Sequence, residues 1–165
     1  MAVAFDASNG TSVFSVTSVT VSVAGGTPTA VGFALMRPDT LTPTAVTYAG
    51  VALTKKIGSA ANDNQMTDIW GLVNPAAGTQ NAVVSWSGSN GCCLVAMTVT
   101  GSDTTTCFTG TGTRTSGFDV TVATTADGEL CIGGMVATGT PTVSGDGHVS
   151  LGTGFSGSSL TIVSR

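Results

Sequence analysis

Charge is the scarcest property of this 165-residue chain. Five basic and nine acidic residues make up 8% of it, against roughly 25% in a typical soluble domain. A nucleic-acid-binding surface needs several clustered cations, because neutralising phosphates supplies most of the affinity. The composition therefore excludes a nucleic-acid partner, and the same count excludes a polybasic membrane-binding patch. The basic residues are Arg37, Lys55, Lys56, Arg114 and Arg165.

Long apolar runs are also missing, and we expect no secretory leader. The longest apolar run, CCLVAMTV at 92–99, is far too short to span a bilayer. The first ten residues lack the basic stretch and apolar stretch of a signal peptide, so we expect synthesis in a cytoplasm. The cysteines have no disulfide-framework spacing, which predicts free thiols that behave as small apolar residues. They are Cys92, Cys93, Cys107 and Cys131.

Helix-forming residues are scarce, while glycine, threonine and valine are abundant, which predicts an all-β fold. The alternating stretch 13–24 predicts a strand with a bulge near Thr17 and Ser18. The stretch 29–36 is apolar at successive positions and predicts a central strand buried on both faces. About ten short strands separated by glycine and proline favour an antiparallel β-sandwich without substantial helix. We expect one domain over 13–165, preceded by an extended segment over 1–12.

Turn residues predict the connections between the strands. Ala49 and Gly50 predict a hairpin within 44–58, and GSNG at 88–91 predicts a turn between strands at 79–86 and 92–101. NPAAG at 74–78 predicts a connection between neighbouring antiparallel strands. Trp70 and Trp86 flank that connection and are predicted to pack in the core. A sugar-stacking platform is the alternative role for the two rings.

The central part of the chain resembles a known module. Its features are PTAVTYAGVALTKKIG at 43–58, a strand with Trp70, LVNPAAGTQNAVVSW at 72–86 and LVAMTVTG at 94–101. These stretches resemble the jelly-roll module of tailed-phage virion proteins, with Ala49 in place of the first glycine of a Gly-Gly pair. The resemblance covers about residues 43–101. It implies a jelly-roll fold and a virion or surface context, and it supplies no catalytic residues.

The sequence contains no recognisable catalytic or metal-binding pattern. The single histidine, His148, follows Asp146 in a glycine-rich stretch, but no Gly-x-Ser-x-Gly motif accompanies it. Zinc and EF-hand spacings are absent. Asp127 and Glu129, the nearest pair of acids, fit a turn into a strand. We therefore expect a protein that is not an enzyme and that binds no cofactor or metal; a small hydrolase that uses His148 is the remaining alternative.

The low charge is the feature that points to a function. A free monomer usually covers itself with charges of both signs, whereas an interface core is depleted in them. We therefore expect another polypeptide to cover part of the surface. Combined with the resemblance, this predicts a capsid decoration (cement) protein on the outer surface of a virion. Its partners would be the major capsid protein and further copies of itself, as a homo-oligomer, with a trimer as the expected form.

Two segments are expected to contact the partner. The Thr-rich stretch 102–117 is one, and the N-terminal segment, which could add a strand to a neighbouring sheet, is the other. A tail or fibre module that binds host glycans through the Thr-rich stretch is the alternative function, and a low-charge monomer kept soluble by hydroxyls is the alternative to a covered surface. The expected contact residues are Val3, Phe5, Phe108, Thr109, Thr111, Thr113 and Arg114.

Overall fold

The computed structural model describes residues 3–58, 65–105, 107–108, 130–135, 148–154 and 158–164. Strands and their connections make up all of these residues, without a helix, so the all-β prediction is confirmed. The strands are β1 (Ala4–Ala24), β2 (Ala30–Pro38), β3 (Pro43–Tyr48), β4 (Val51–Ala52), β5 (Thr54–Gly58), β6 (Gln65–Val73), β7 (Thr79–Thr100), β8 (Leu130–Met135), β9 (His148–Gly154) and β10 (Ser158–Ser164).

Two long strands, β1 and β7, organise the larger sheet. They pair antiparallel from Ala4 opposite Thr100 to Ala24 opposite Thr79. The other edge of β7 pairs with β3 along its first half and with β2 along its second half. β6 and β5 follow β2, and β4 follows β3. Only Leu53 separates β4 from β5, so this stretch joins the two ends and nearly closes the antiparallel sheet into a barrel.

The long pair is bent, so that each of its strands contributes to both sides of the barrel. In β1 the bend lies at Ser15, whose φ is 54°, and the pairing register shifts on both sides of Val16. The two halves of β1 then lie beside each other. Asn9 Nδ2 donates a hydrogen bond to the Ser22 carbonyl at 2.9 Å, although the residues are 13 apart in sequence.

Apolar side chains from both halves fill the inside of the barrel. Valines of β1 alternate inward, and the first half of β7 does the same with Ala82, Val84 and Trp86. Trp86 also donates through Nε1 to the Val16 carbonyl at 2.8 Å and so holds the bend of β1. Each large buried side chain contributes about 1.5–3 kcal/mol. The fully buried members include Val23, Val31, Phe33, Leu35, Tyr48, Val84 and Leu94.

A second sheet, in the order β8-β10-β9, lies outside the barrel. β8 lies against β2 and β6, and β9 lies against β1 and β7. This arrangement explains why β2 is buried on both faces, as its sequence predicts: Phe33 points into the barrel, while Ala34 packs on the outside with Ile69 and Val95.

Two further local predictions are confirmed. Ala49 and Gly50 form the hairpin turn between β3 and β4, with φ of 50° and 80°, the positive angles that a type I′ turn requires. The bulge expected near Thr17 and Ser18 is present as the register shift between Val16 and Ser18. Both features depend on short-range backbone geometry, which the sequence encodes directly.

Three predicted boundaries differ from the structure. Residues 4–12, expected to form a separate extended segment, are the start of β1 and pair with β7 of the same chain. The expected turn at 88–91 is a bend inside β7, because β1 continues to pair with β7 on both sides of it. NPAAG does not join neighbouring strands, since β2 lies between β6 and β7.

A cluster of charges occupies the end of the barrel where β2 finishes. Asp68 is fully buried, and its carboxylate lies 2.6 Å from both Arg37 Nε and Lys55 Nζ. The Arg37 bond is a directed hydrogen bond, whereas the Lys55 contact is a charge contact without hydrogen-bond geometry. Arg37 Nη1 also donates to the Pro38 and Leu41 carbonyls and fixes the connection to β3. Lys55 is thus a partly exposed residue whose ammonium pairs with a buried acid.

The charge cluster gives a stability prediction. Asp68→Asn removes the charge that compensates buried Arg37, and we expect it to lower the free energy of unfolding by about 3 kcal/mol. Lys55→Met removes a partly exposed partner and leaves the Arg37–Asp68 pair intact, so its cost should stay below about 1 kcal/mol. Urea denaturation of both variants measures the difference. Equal losses would show that Asp68 does not carry the buried charge balance.

The buried thiols predict a loss of stability in alkali. Burial, followed by the neighbouring Cys93, raises the pKa of Cys92 from 9.0 to about 12. A raised pKa in the folded state means that the Cys92 contribution to stability is complete below pH 9 and is lost as the pH rises towards 12. Cys92→Ala should therefore flatten the fall in unfolding free energy measured between pH 8 and pH 10.5. An unchanged slope would contradict this assignment.

Candidate interaction surface

The structure brings together predicted contact residues from two distant parts of the chain. Val3, at the start of the described chain, and Phe108 pack against the same buried cluster, which contains Met97 and Val99. Phe5 lies opposite Val99 in the β1–β7 register, so its side chain is on the same outer face of the sheet. Phe5 is 42% exposed. The other expected contact residues, Thr109, Thr111, Thr113 and Arg114, lie outside the described residues.

Phe108 is held by an unusually close contact with β6. Its ring lies directly over Gly71, so closely that a Cβ atom on Gly71 would overlap the ring. Lys56, on β5, places its Nζ 5.0 Å from the centroid of the Phe108 ring. This cation–π geometry contributes about 0.5–1 kcal/mol at an exposed site. Phe108 is thus a fixed part of the surface. We call Val3, Phe5, Lys56, Cys107 and Phe108 together the Phe5–Phe108 surface.

An open groove of about 180 Å³ borders the Phe5–Phe108 surface, between β5, β6 and the residues Thr105, Cys107 and Phe108. Its lining residues with polar side chains include Thr54, Lys56, Thr105 and Cys107. Burial raises the pKa of Cys107 more than the nearby Lys56 lowers it, so the thiol stays protonated and weakly nucleophilic at neutral pH. Among the described lining residues, none is a carboxylate or an imidazole, the groups that most often act in acid–base catalysis.

Exposed apolar side chains are few in the part of the chain whose side chains the structure describes. Phe5, Phe14 and Val51 are the large ones, with exposures of 42%, 61% and 52%. Phe14 lies at the bend of β1, and Val51 follows the β3–β4 turn. Of these three, Phe5 lies opposite Val99, a member of the buried cluster against which Val3 and Phe108 pack.

The tryptophans and the tyrosine are directed inward. Trp86 is 4% exposed and its Nε1 is hydrogen bonded to Val16, which confirms its predicted place in the core. Trp70 packs against the same core, with its Nε1 buried. Tyr48 is fully buried and meets Phe33 edge to face, with ring centroids 6.3 Å apart. These rings therefore do not form the sugar-stacking platform that was the alternative for the tryptophans.

The remaining sequence candidates whose side chains the structure describes are cysteines. Cys92, Cys93 and Cys107 are free thiols, as predicted, and the Cys92 and Cys93 side chains lie on opposite faces of β7. Within the residues described, no group of three or more His, Cys, Asp or Glu side chains is placed to hold a metal ion. The described part of the chain also contains no helix that is long and apolar enough to cross a membrane. The side chains of Asp146 and His148 lie outside the description.

The contact between Gly71, Phe108 and Lys56 is the part of this surface that sequence reasoning missed. Its one local signal is a glycine in the middle of the apolar stretch IWGLV at 69–73. Such a glycine inside a strand marks either a bulge or the close approach of another group, and here it marks the approach of the Phe108 ring. The partner ring itself is 37 positions away and carries no signal of the pairing.

No protein-family model, curated protein or solved structure matches this chain.

The close contact at Gly71 predicts that Gly71→Ala has opposite effects on stability with and without the Phe108 ring. Gly71→Ala places a methyl group against the Phe108 ring, and we expect it to destabilise the protein by about 1–3 kcal/mol. In a Phe108→Ala background the same change should be neutral or stabilising, since alanine is favoured over glycine in a strand by about 0.5–1 kcal/mol. Urea denaturation of the double-mutant cycle measures both effects. Additive effects would place the Phe108 ring elsewhere.

Proposed function

We propose that this protein is a non-enzymatic structural protein of a virion, a decoration (cement) protein that binds the outer capsid surface of a tailed phage. In this proposal the Phe5–Phe108 surface lies against the major capsid protein. The observation that carries it is the combination of few charges with a fixed, partly exposed apolar surface built from two distant segments. Such a surface is typical of the core of a protein–protein interface.

The distribution of charge strengthens the proposal. The chain has few charged residues, and Arg37 and Asp68 are buried against each other, so they contribute nothing to the solubility of the surface. The exposed strand faces consist mainly of threonine, serine, alanine and valine: Ser18, Thr20 and Ser22 of β1 all point to solvent. A protein with such an exterior is well suited to stay in contact with another polypeptide.

The β1–β7 pair supports the jelly-roll part of the proposal. A jelly roll consists of long antiparallel strand pairs that fold over so that each contributes to two facing sheets. β1 and β7 pair over more than 20 residues and bend so that both halves face one core. We propose that this barrel is the jelly-roll module which residues 43–101 resemble.

Several weak contacts would act together in this role. A homo-oligomer around a symmetry axis presents one copy of the Phe5–Phe108 surface per subunit, and simultaneous docking raises the effective affinity without new contacts. A trimer at a threefold position of the shell is the form we propose. The glycan-binding tail module is the weaker proposal, because both tryptophans and the tyrosine are directed into the core.

Binding to shells tests this function with a matched pair of variants. We expect the protein to co-sediment with undecorated capsid shells of the phage that encodes it. Phe5→Ser should weaken this binding about tenfold or more, the effect of losing a central apolar contact. Phe14→Ser removes the same kind of side chain from the bend of β1, away from the Phe5–Phe108 surface, and should change binding less than about threefold.

Two results of this experiment would overturn the proposal. If the unaltered protein stays in the supernatant at saturating shell concentration, it is not a decoration protein of that shell. If Phe5→Ser and Phe14→Ser weaken binding equally while both variants keep the far-UV circular dichroism of the parent, the Phe5–Phe108 surface is not the contact.

A further inference from the structure

The first half of β1, residues 4–13, is attached to its own molecule by antiparallel backbone pairing with residues 92–100 of β7 and by half-buried side chains, of which Ala7 and Val13 pack against the core. None of its side chains is fully buried; each is exposed or half-buried. Because backbone hydrogen bonds of this kind do not depend on which molecule supplies the strand, the identical strand of a second copy fits the same edge.

The contacts between the two halves of β1 could also be made by the same strand from a second copy. Asn9 Nδ2 donates to the Ser22 carbonyl at 2.9 Å, and the Gly26 amide donates to Asp6 Oδ2 at 3.0 Å. Thr98 on β7 adds a hydrogen bond to the same Asp6 oxygen at 3.0 Å. All three bonds join residues 4–13 to groups outside that segment. A strand from a second copy, in the same register, would re-form each of them.

The connection between the halves carries strain. Ser15 has a φ of 54°, a left-handed conformation that a residue with a Cβ adopts at a cost. The register shifts between Val13 and Val16, and the adjacent Phe14 side chain is 61% exposed. Straightening β1 at this point would return Ser15 to the ordinary extended region. The bend is therefore a hinge whose folded-back form has an unfavourable local backbone.

We propose that copies of this chain associate by exchanging residues 4–13, so that this strand pairs with residues 92–100 of β7 in a neighbouring copy. The hinge is residues 14–17, and Trp86 holds its far side through the Val16 carbonyl. The inference deepens the self-association in the proposed function and rests on it. Exchange around a closed ring leaves no strand unpaired, which suits a symmetric oligomer.

The balance between the two forms depends on protein concentration. The contacts of residues 4–13 are the same in both, so the relaxation of Ser15 and any new contact at the hinge favour the oligomer. The translational entropy lost on association opposes it, and this cost falls as the protein concentration rises. We therefore expect monomers at low protein concentration and exchanged oligomers at high protein concentration.

Disulfide trapping distinguishes exchange from ordinary surface contact. Ala4 and Thr100 are register partners at the outer end of the exchanged strand, and neither is buried. We would introduce Ala4→Cys with Thr100→Cys, replace Cys107 and Cys131 by serine, and oxidise the protein at high concentration. Exchange predicts covalent dimers or larger rings on a non-reducing denaturing gel, since each disulfide then joins two chains.

The control introduces a second pair of cysteines in the part of β1 that stays paired within its own chain. Ala24 and Thr79 are register partners at the other end of the β1–β7 pair, and both are exposed. Ala24→Cys with Thr79→Cys should give only covalent monomers. If the Ala4–Thr100 variant also gives only monomers under conditions where light scattering shows oligomers, exchange is wrong and self-association stands. If light scattering shows a monomer at every concentration, both strand exchange and self-association are wrong.

Substitutions at the hinge test the same inference without introduced cysteines. Ser15→Gly removes the cost of the positive φ and should shift the equilibrium towards monomer by roughly 5- to 30-fold per chain. Ser15→Val raises that cost and should shift it towards oligomer. Sedimentation equilibrium measures both, with circular dichroism to show that the variants are folded. A folded Ser15→Gly variant with the oligomer content of the parent would overturn the assigned hinge.

Discussion

The pairing of β1 with β7 is the interaction on which the rest of the structure depends. These strands contain 21 and 22 residues, so a straight pair would be about 70 Å long. A compact domain of this length is only about 40 Å across. The pair must therefore bend, and once it bends its two halves face each other across a common core. β3 and β2 then add to the two halves of one β7 edge, which sets the order of the whole barrel.

The bend also decides where polar groups can be placed inside a chain of low charge. Near the end of β2, Asp68 compensates Arg37 and Lys55 within the barrel. At the other end, Asp6 accepts hydrogen bonds from Gly26 and Thr98 and joins the two halves of β1. Each carboxylate thus pairs with polar groups at one end of the core. The outer surface keeps hydroxyls, a few charges and the Phe5–Phe108 surface, which is why we infer a function based on protein contacts.

Local features of this fold could be predicted from the sequence, whereas features that join distant residues could not. The stretch 29–36 is apolar at successive positions, and residues 30–36 do lie in a strand buried on both faces. Ala49 with Gly50 does form a hairpin turn. In contrast, GSNG at 88–91 has the residues of a turn but lies within β7, because its partner strand bends with it. The contact between Lys56 and Phe108 was missed for the same reason: spacing within one strand does not reveal the ring that another segment brings to it.

The folded-back path of β1 is the central claim, and nuclear Overhauser contacts test it most directly. The folded-back path predicts short-range contacts between the protons of residues 6–9 and those of residues 22–26, with Asn9 beside Ser22 and Asp6 beside Gly26. These contacts should be present in the monomer and in any oligomer. If residues 6–9 show contacts only to β7 and none to residues 22–26, then β1 is not folded back and the barrel described here is wrong.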